Sequence, residues 1–441
     1  MAVSLHFEGH PSHKLDLPSF HAADITERVK LIRTLTLRAY HMMHIYGGNT
    51  IGLSGMSGKD GRAVIQNLKN ELKKLGALTA LQQVVTGGQA VEVQEVSFLA
   101  RTADGLGRWA QGTARRFKHF EANKPGLFLG LDIGSEKIKT YIMKDGKGLF
   151  KGMFSSGVGQ DGEPTDKLDI GSLGRGIQEA AKKTVTIGSR SLGGQEPKLD
   201  GLVVIVSRQA RRELLPEPKW MLQGLYTKYE CPIWLHSDRE AQALACAVIF
   251  GAENICAASL GRSYSLGLLR DGIPLSGPMG AEYFWEDTSK DCYQGSSLAF
   301  LNAQAELAIA QRKGFKSAID RLDTTEINQA AAAKSHPMHY RAYEVIRDLA
   351  KHLLWNLTEL HSFCPFEIAA ITGARSAQVG NALVSEMTTA LERLEGGPRF
   401  TIRTVEEKMN PVLTGAYGAA LLASAQTQKI AVGGLPQKAF G

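Results

Sequence analysis

No uninterrupted apolar run in this chain approaches the roughly 20 residues that a membrane-spanning helix needs. The opening stretch MAVSLHFEGHPSHKLDL has neither the basic start nor the apolar centre of a secretory signal. A cytoplasmic protein with no membrane partner is expected. Cysteine is scarce and scattered, since Cys231, Cys246, Cys256, Cys292 and Cys364 include no CxxC or CxC pair. Five widely spaced thiols, an odd number, argue against a disulfide framework and against a structural zinc site. Short solenoid-type repeats are missing as well. What is present is 441 residues, 43% hydrophobic and 22% charged, a composition that excludes a mainly disordered or collagen-like chain. At roughly 150 residues per domain, that length suits about three domains, or one large two-lobed body with a smaller appendage.

The net charge of +7 is unevenly spread. Residues 1–124 hold 16 Lys and Arg against 10 Asp and Glu, while residues 125–441 hold 35 against 34. A positive excess confined to one segment is what a phosphate-binding module shows, although many domains with neutral ligands carry as much. Residues 1–23 read as an irregular arm, in which His6, His10, His13 and His21 are either metal ligands or a solvated tail. From Asp24, a suitable N-cap with Glu27 three residues on, Ile25, Val29, Ile32, Leu35, Ala39 and Met43 recur at steps of three or four. That spacing predicts a helix ending at Gly47-Gly48. A second helix is capped by Ser57 and Asp60, buries Val64, Leu68, Leu72 and Leu75, and ends at Gly76. Its other face carries Lys59, Arg62, Gln66, Asn67, Asn70 and Lys73, side chains able to reach phosphates and base edges in a major groove. Residues 81–93, with Gly87-Gly88 between two apolar stretches, read as a hairpin. Helix, helix, hairpin is the order of a winged helix-turn-helix, and a small α/β cap reads equally well. A basic run of Arg108, Arg115, Arg116 and Lys118 precedes a boundary at Lys124-Pro125-Gly126.

Beyond it, strands and helices alternate. Strands are expected at Leu127–Ile133, Ile138–Met143, 201–206, 231–235, 254–260, 264–270, 367–372 and 399–404, helices near 171–184, 238–250, 295–312, 337–361, 376–394 and 412–426, and a turn at Asp145-Gly146. Five places in this order can carry chemistry. Asp132 ends a strand and is followed by Ile133-Gly134-Ser135-Glu136-Lys137, a turn whose N–H groups can face a phosphate. Asp238, after His236-Ser237, stands at a strand-to-helix junction as either a general base or a helix N-cap. Gly261 lies in a turn between strands, followed by Gly277-Pro-Met-Gly-Ala-Glu282. Gly373 opens a turn into a helix start where a ligand can meet free N–H groups. The last helix opens on Thr414-Gly415-Ala416-Tyr417-Gly418, small residues that also suit close packing.

Taken in order, these motifs resemble the actin/hexokinase-like (ribonuclease H-like) fold, and within it the ROK family of sugar kinases and sugar-responsive repressors, over residues 127–426. The family's DIGGTKI turn corresponds to Asp132-Ile-Gly-Ser-Glu-Lys-Ile138, its catalytic Asp to Asp238, its GxxGxAGE motif to Gly277–Glu282 and its last-helix GA to Gly415-Ala416. The departures fall where phosphates sit. Ser135-Glu136 replaces a Gly-Thr pair, and Arg262-Ser-Tyr-Ser265 occupies the second phosphate turn. Ser237 replaces an Asn, Trp285 a His, Ser207-Arg208 a Pro-Gly, and the zinc loop is reduced to Cys292.

The resemblance implies an α/β, bilobal body behind an N-terminal winged helix-turn-helix-like domain. Its expected parts are an arm at 1–23, a DNA-binding domain at 24–124, one lobe at 125–250, a second with closing helices at 251–426 and a tail at 427–441. The expected protein is a DNA-binding regulator with a degenerate ROK-like sensor, no zinc and no required cofactor. It acts as a homodimer on double-stranded DNA under a sugar or sugar phosphate effector. In that reading Asp238, Glu282 and Ser237 hold ligand hydroxyls, and Asp132, Gly134, Lys137, Gly261 and Gly373 form the phosphate side. The alternatives are an ATP- and Mg²⁺-dependent carbohydrate kinase with Asp238 as base and a pseudokinase scaffold.

Overall fold

The computed structural model describes residues 2–7, 13–16, 26–29, 31, 32, 35, 50–54, 66, 67, 70 and 97–100, and most of 125–427. Within that last span the exceptions are 135, 166–168, 195–197, 207–218, 262–263, 271, 276–283, 288–291, 297–300, 302, 317–323 and 395–396. The chain divides into two units, residues 1–118 with 276–284, and residues 119–275 with 285–441.

The first unit contains a four-stranded sheet of β1 (Ala2–Phe7), β2 (His13–Asp16), β3 (Thr50–Ser54) and β4 (Ser97–Ala100), in the order β2-β1-β3-β4. The arm expected at 1–23 is thus partly a hairpin, with Leu5 opposite His13. The signal was there: Val3, Leu5 and Phe7 alternate with Ser4 and His6. β3 and β4 were not expected, and they run parallel. The first helix is present at residues 26–29, 31, 32 and 35, but its buried face differs from the expected stripe. Leu31, Ile32 and Leu35 are buried while Val29 is 58% exposed, because the inward i, i+3, i+4, i+7 set starts at Arg28, which is half-buried. Residues 66, 67 and 70 are helical, as expected, and the hairpin expected at 81–93 lies outside the described residues.

The second unit repeats one connection pattern twice. β5 (Leu127–Ile133), β6 (Lys137–Lys144) and β7 (Lys147–Ser155) form an antiparallel meander, and β8 (Gly201–Val206) and β9 (Ile233–Ser237) extend it in parallel, giving β7-β6-β5-β8-β9. Asp145 and Gly146, both at positive φ, make the tight β6–β7 turn. The parallel steps are spanned by α1 (Ile170–Arg190) and α2 (Lys219–Tyr229). Asp169 and Ser172 close a reciprocal capping box at the start of α1, whose Leu173, Ile177, Ala180, Ala181 and Val185 face the sheet. The second sheet, β12-β11-β10-β15-β16, consists of β10 (Ile255–Leu260), β11 (Tyr264–Arg270), β12 (Ile273–Leu275), β15 (Ile368–Thr372) and β16 (Thr401–Thr404). Between β12 and β15 come a two-stranded ribbon, β13 (Phe284–Asp287) with β14 (Cys292–Ser296), and helices α4 (Ala303–Arg312), α5 (Thr324–Ala332) and α6 (His339–Phe363). α7 (Ser376–Glu392) joins β15 to β16.

Two further α-helices, α3 (Asp238–Phe250) and α8 (Thr414–Thr427), exchange sheets. α3 follows β9 but packs on β10 and β11, and α8 follows β16 but packs on β5 and β8. β5 is therefore buried on both faces and reads as a continuous apolar run. Leu127, Leu129, Leu131 and Ile133 belong to the core that includes α1, and Phe128 to the core that includes α8. Asp132 shares the α8 face. Contact this close requires positions without side chains. A Cβ on Gly130 would lie 2.1 Å from the Ala416 carbonyl oxygen, and one on Gly418 would lie 1.8 Å from that of Ala241.

Candidate functional site

Near the crossing of α3 and α8, two carboxylates, Asp132 and Asp238, act on each other electrostatically. Asp132, next to last in β5, lies opposite Lys139 in the β5–β6 register, and the Lys139 ammonium donates to Asp132 Oδ2 at 2.9 Å. Asp132 is almost fully buried. On its other side is the start of α8, where a Cβ added to Gly415 would come within 2.7 Å of Asp132 Oδ2, so the carboxylate also faces the positive end of a helix. The intervening turn is internally braced. Gly134 N–H donates to the Lys137 carbonyl at 3.1 Å, Ser156 Oγ to the Gly134 carbonyl at 2.9 Å, and Ser156 N–H to the Glu136 carbonyl at 3.0 Å. Glu136 and Lys137 are exposed. Two like unit charges about 4 Å apart near a protein surface repel by about 4 kcal/mol, and a divalent cation facing an ammonium doubles that. Lys139 therefore sets the electrostatics of this end of the site.

Asp238 is the first residue of α3, one position past the N-cap expected for it, and its carboxylate accepts the Arg239 N–H. Ser265 Oγ donates to Asp238 Oδ2 at 3.4 Å. The strand places it there, because Ser265 and Gly267 share one face of β11 and a Cβ on Gly267 would meet the Arg239 carbonyl at 2.2 Å. Burial pushes the Asp238 carboxyl above its ordinary range. The Arg239 charge pulls it back, the Asp132 charge adds to the rise, and the hydrogen bonds from Ser265 and the Arg239 backbone hold it down. Between the ordinary value of 3.8 and the raised folded value, the folded state binds more protons than the unfolded chain, so stability falls as pH rises. Asp238→Asn, which cannot ionise, is expected to melt at higher temperature than wild type at pH 7, with the gap closing toward about pH 4. Thermal melts over a pH series measure it, and parallel profiles contradict it.

At the second turn, Tyr264 turns inward, fully buried, with its hydroxyl donating to Asn356 Oδ1 at 2.8 Å. Arg262 and Ser263 lie outside the described residues. Gly261 is half-buried at the end of β10. Gly373, at φ 96°, lies against Leu260, whose backbone a Cβ would meet at 2.6 Å. Its N–H donates to the Pro411 carbonyl at 3.4 Å and that of Arg375 to the Leu260 carbonyl at 2.9 Å. Two of the N–H groups expected to be free are thus spent internally. Thr372 and Thr414, linked through their hydroxyls at 2.8 Å, tie β15 to the start of α8.

Of the remaining expected site residues, Ser237 ends β9, and Glu282 lies outside the described residues. Gln66, Asn67 and Asn70 are exposed on one helix, with Gln66 Nε2 donating to Asn70 Oδ1 at 3.3 Å, while Lys59, Arg62 and Lys73 lie outside the described residues. Sequence reasoning missed Lys139 and a buried chain below Asp238, in which His236 Nδ1 lies 2.9 Å from Glu240 Oε2 and His236 Nε2 lies 3.1 Å from Gln426 Nε2. A proton on Nδ1 satisfies both contacts, locking β9 to α3 and α8. Cys231, Cys246, Cys256 and Cys364 are buried free thiols. Among the described residues no three His, Cys, Asp or Glu are grouped to hold a metal, and no helix is long and apolar enough to cross a membrane.

No protein-family model and no curated protein matches the chain. Solved structures do. A ROK hexokinase from Thermus thermophilus is 18% identical, covering 69% of this chain and 99% of that one, with a TM-score of 0.50. A ROK family glucokinase from Streptomyces griseus, in complex with glucose and AMPPNP, is 17% identical over 68% and 99%, with a TM-score of 0.51. A ROK family transcriptional regulator, a homologue of the E. coli MLC protein, is 15% identical over 71% and 82%, with a TM-score of 0.50. The body of this chain has the actin/hexokinase-like fold in the form that ROK proteins share, as the motif order implied. Kinases and a regulator alike are built on it.

Proposed function

We propose that this chain is a DNA-binding transcriptional regulator whose ROK-like body senses a sugar or sugar phosphate without phosphorylating it. The observation that carries the reading is the segment ahead of the body, which holds six of the seven net positive charges and presents Gln66, Asn67 and Asn70 on an exposed helical face. Lys59, Arg62 and Lys73 complete that face as phosphate and base contacts, and a homodimer sets two such helices on paired half-sites. In the body, Asp238 and Ser237 hold sugar hydroxyls, and lobe closure on the ligand changes the affinity for DNA. Exposed Glu136 in the turn after Asp132 adds negative charge where a triphosphate would lie.

Replacing Arg62 and Gln66 together with Ala is expected to remove sequence-specific DNA binding while leaving the melting temperature and sugar affinity unchanged. Electrophoretic mobility shifts alongside calorimetric sugar titrations read both, and unchanged DNA affinity discards this helix as the reader. The kinase reading draws on the place of Asp238 at the junction of β9 and α3, where burial pushes its carboxyl up, a setting that suits a general base. A coupled ATPase assay over a panel of sugars separates the two. Sugar-dependent turnover that disappears in Asp238→Asn establishes the kinase and overturns the sensor, whereas silence in that assay together with DNA binding supports the sensor.

A further inference from the structure

Asp132 carries its own cation. The pairing with Lys139 is built into the backbone, because the two residues are direct cross-strand partners next to a turn closed by Gly134 and braced by Ser156. The register keeps the two side chains on one face of the hairpin. The Lys139 side chain is 23% exposed against 8% for Asp132, so the ammonium sits on the more open side of the pair. Asp238 lies within electrostatic reach of Asp132. Without Lys139, Asp132 would present an uncompensated carboxylate, the kind of hard oxygen ligand that Mg²⁺ or Mn²⁺ takes. With it, a divalent cation approaching Asp132 meets an ammonium already bonded to that carboxylate, and its net attraction there is reduced.

We infer that Lys139 is a built-in counter-ion that keeps divalent cations out of this site, so that the body takes its ligand without a metal. The residues present therefore do not fit a magnesium nucleotide at Asp132. This rests on the sensor reading and supplies the physical device behind it. Arg239, whose charge acts on Asp238, and the start of α8 beside Asp132 add to the same positive field. Lys139 touches neither a reacting atom nor a ligand in this account, and its role is exclusion.

The test is Mn²⁺ binding to the full chain, read from the electron paramagnetic resonance signal of free Mn²⁺, with no nucleotide or sugar present. Lys139→Met and Lys139→Gln are expected to bind Mn²⁺ about tenfold more tightly than wild type, or better, whereas Lys139→Arg, which keeps the charge, stays at the wild-type level. Adding Asp132→Asn to Lys139→Met should abolish the gain. Equal affinity in wild type and both neutral variants overturns the inference, as does an equal gain in Lys139→Arg. Should the neutral variants fail to fold, Asp132→Asn in the wild-type background decides. Unchanged Mn²⁺ affinity supports exclusion, and a loss shows that Asp132 already binds metal and contradicts it. DNA retention is a separate readout, so a protein that ignores DNA but follows this Mn²⁺ pattern sinks the regulator and spares the counter-ion, while the reverse pattern does the opposite.

Discussion

Replacing Gly418 with alanine is expected to lower stability by about 3 kcal/mol or more, seen as a fall of roughly 5 to 10 °C in the thermal midpoint. The added methyl would lie 1.8 Å from the Ala241 carbonyl oxygen and 2.4 Å from its carbon. Both are backbone atoms of α3, which cannot rotate aside as a side chain would, so α3 and α8 must separate. That crossing also seats α8 on β5, where a Cβ on Gly130 would lie 2.1 Å from Ala416 O. It holds Asp132 and Asp238 within reach of each other as well, so sugar affinity should fall along with stability. Gly171→Ala is the control. It sits in the first turn of α1, where a Cβ meets nothing closer than Arg175 Nη1 at 3.4 Å, and its melt should match wild type to within about 2 °C. A Gly418→Ala protein with wild-type melting contradicts the crossing described.

The buried ion pair behind the second turn should respond as strongly. Arg375 donates to Glu306 Oε2 at 2.5 Å and to the Leu301 carbonyl, with both side chains nearly inaccessible. The pair is enclosed by Leu260, Leu301, Leu349, Leu353, Val379 and Leu383. Burial pushes the Glu306 carboxyl up further than the guanidinium pulls it down, and Glu306 Oε1 and Arg375 Nε have no partner among the described residues. Two charges so incompletely satisfied contribute little net stability, but breaking the pair strands a charge. Glu306→Ala is expected to cost about 3 to 5 kcal/mol in urea unfolding, and Glu306→Leu with Arg375→Met to recover most of that loss. A single substitution costing under about 1 kcal/mol, or a double substitution no better than the single, contradicts this account.

The alternation of strand and helix from residue 127 onward was legible because each strand is short, apolar and bounded by glycine or a charged turn. α2 and α5 escaped notice, and in α5 the reason is plain: TTEINQAAA shows little beyond three alanines. Asp132 and Asp238 were found as strand-end carboxylates, but their partners were not. Lys139 could have been: once the turn after Asp132 closes between Ile133 and Ile138, the next cross-strand pair is Asp132 with Lys139. Choosing Lys137 instead put the charge on the exposed tip. The inward turn of Tyr264 was not legible, because period two alone does not say which face of β11 meets α3. The glycine at position 267 answers that only when α3 is known to lie against it. The exchange of α3 and α8 between sheets depends on contacts such as Gly130 with Ala416, nearly 290 positions apart, which no local pattern reveals.

Retention of fragmented genomic DNA on the purified full chain, measured from about 50 to about 200 mM salt, bears most directly on the regulator assignment. A cationic reading helix working on phosphates and bases should hold a small set of fragments, with affinity falling steeply as salt rises. If no fragment is held above background at the lowest salt, the segment ahead of the body does not read DNA, and the regulator assignment is wrong.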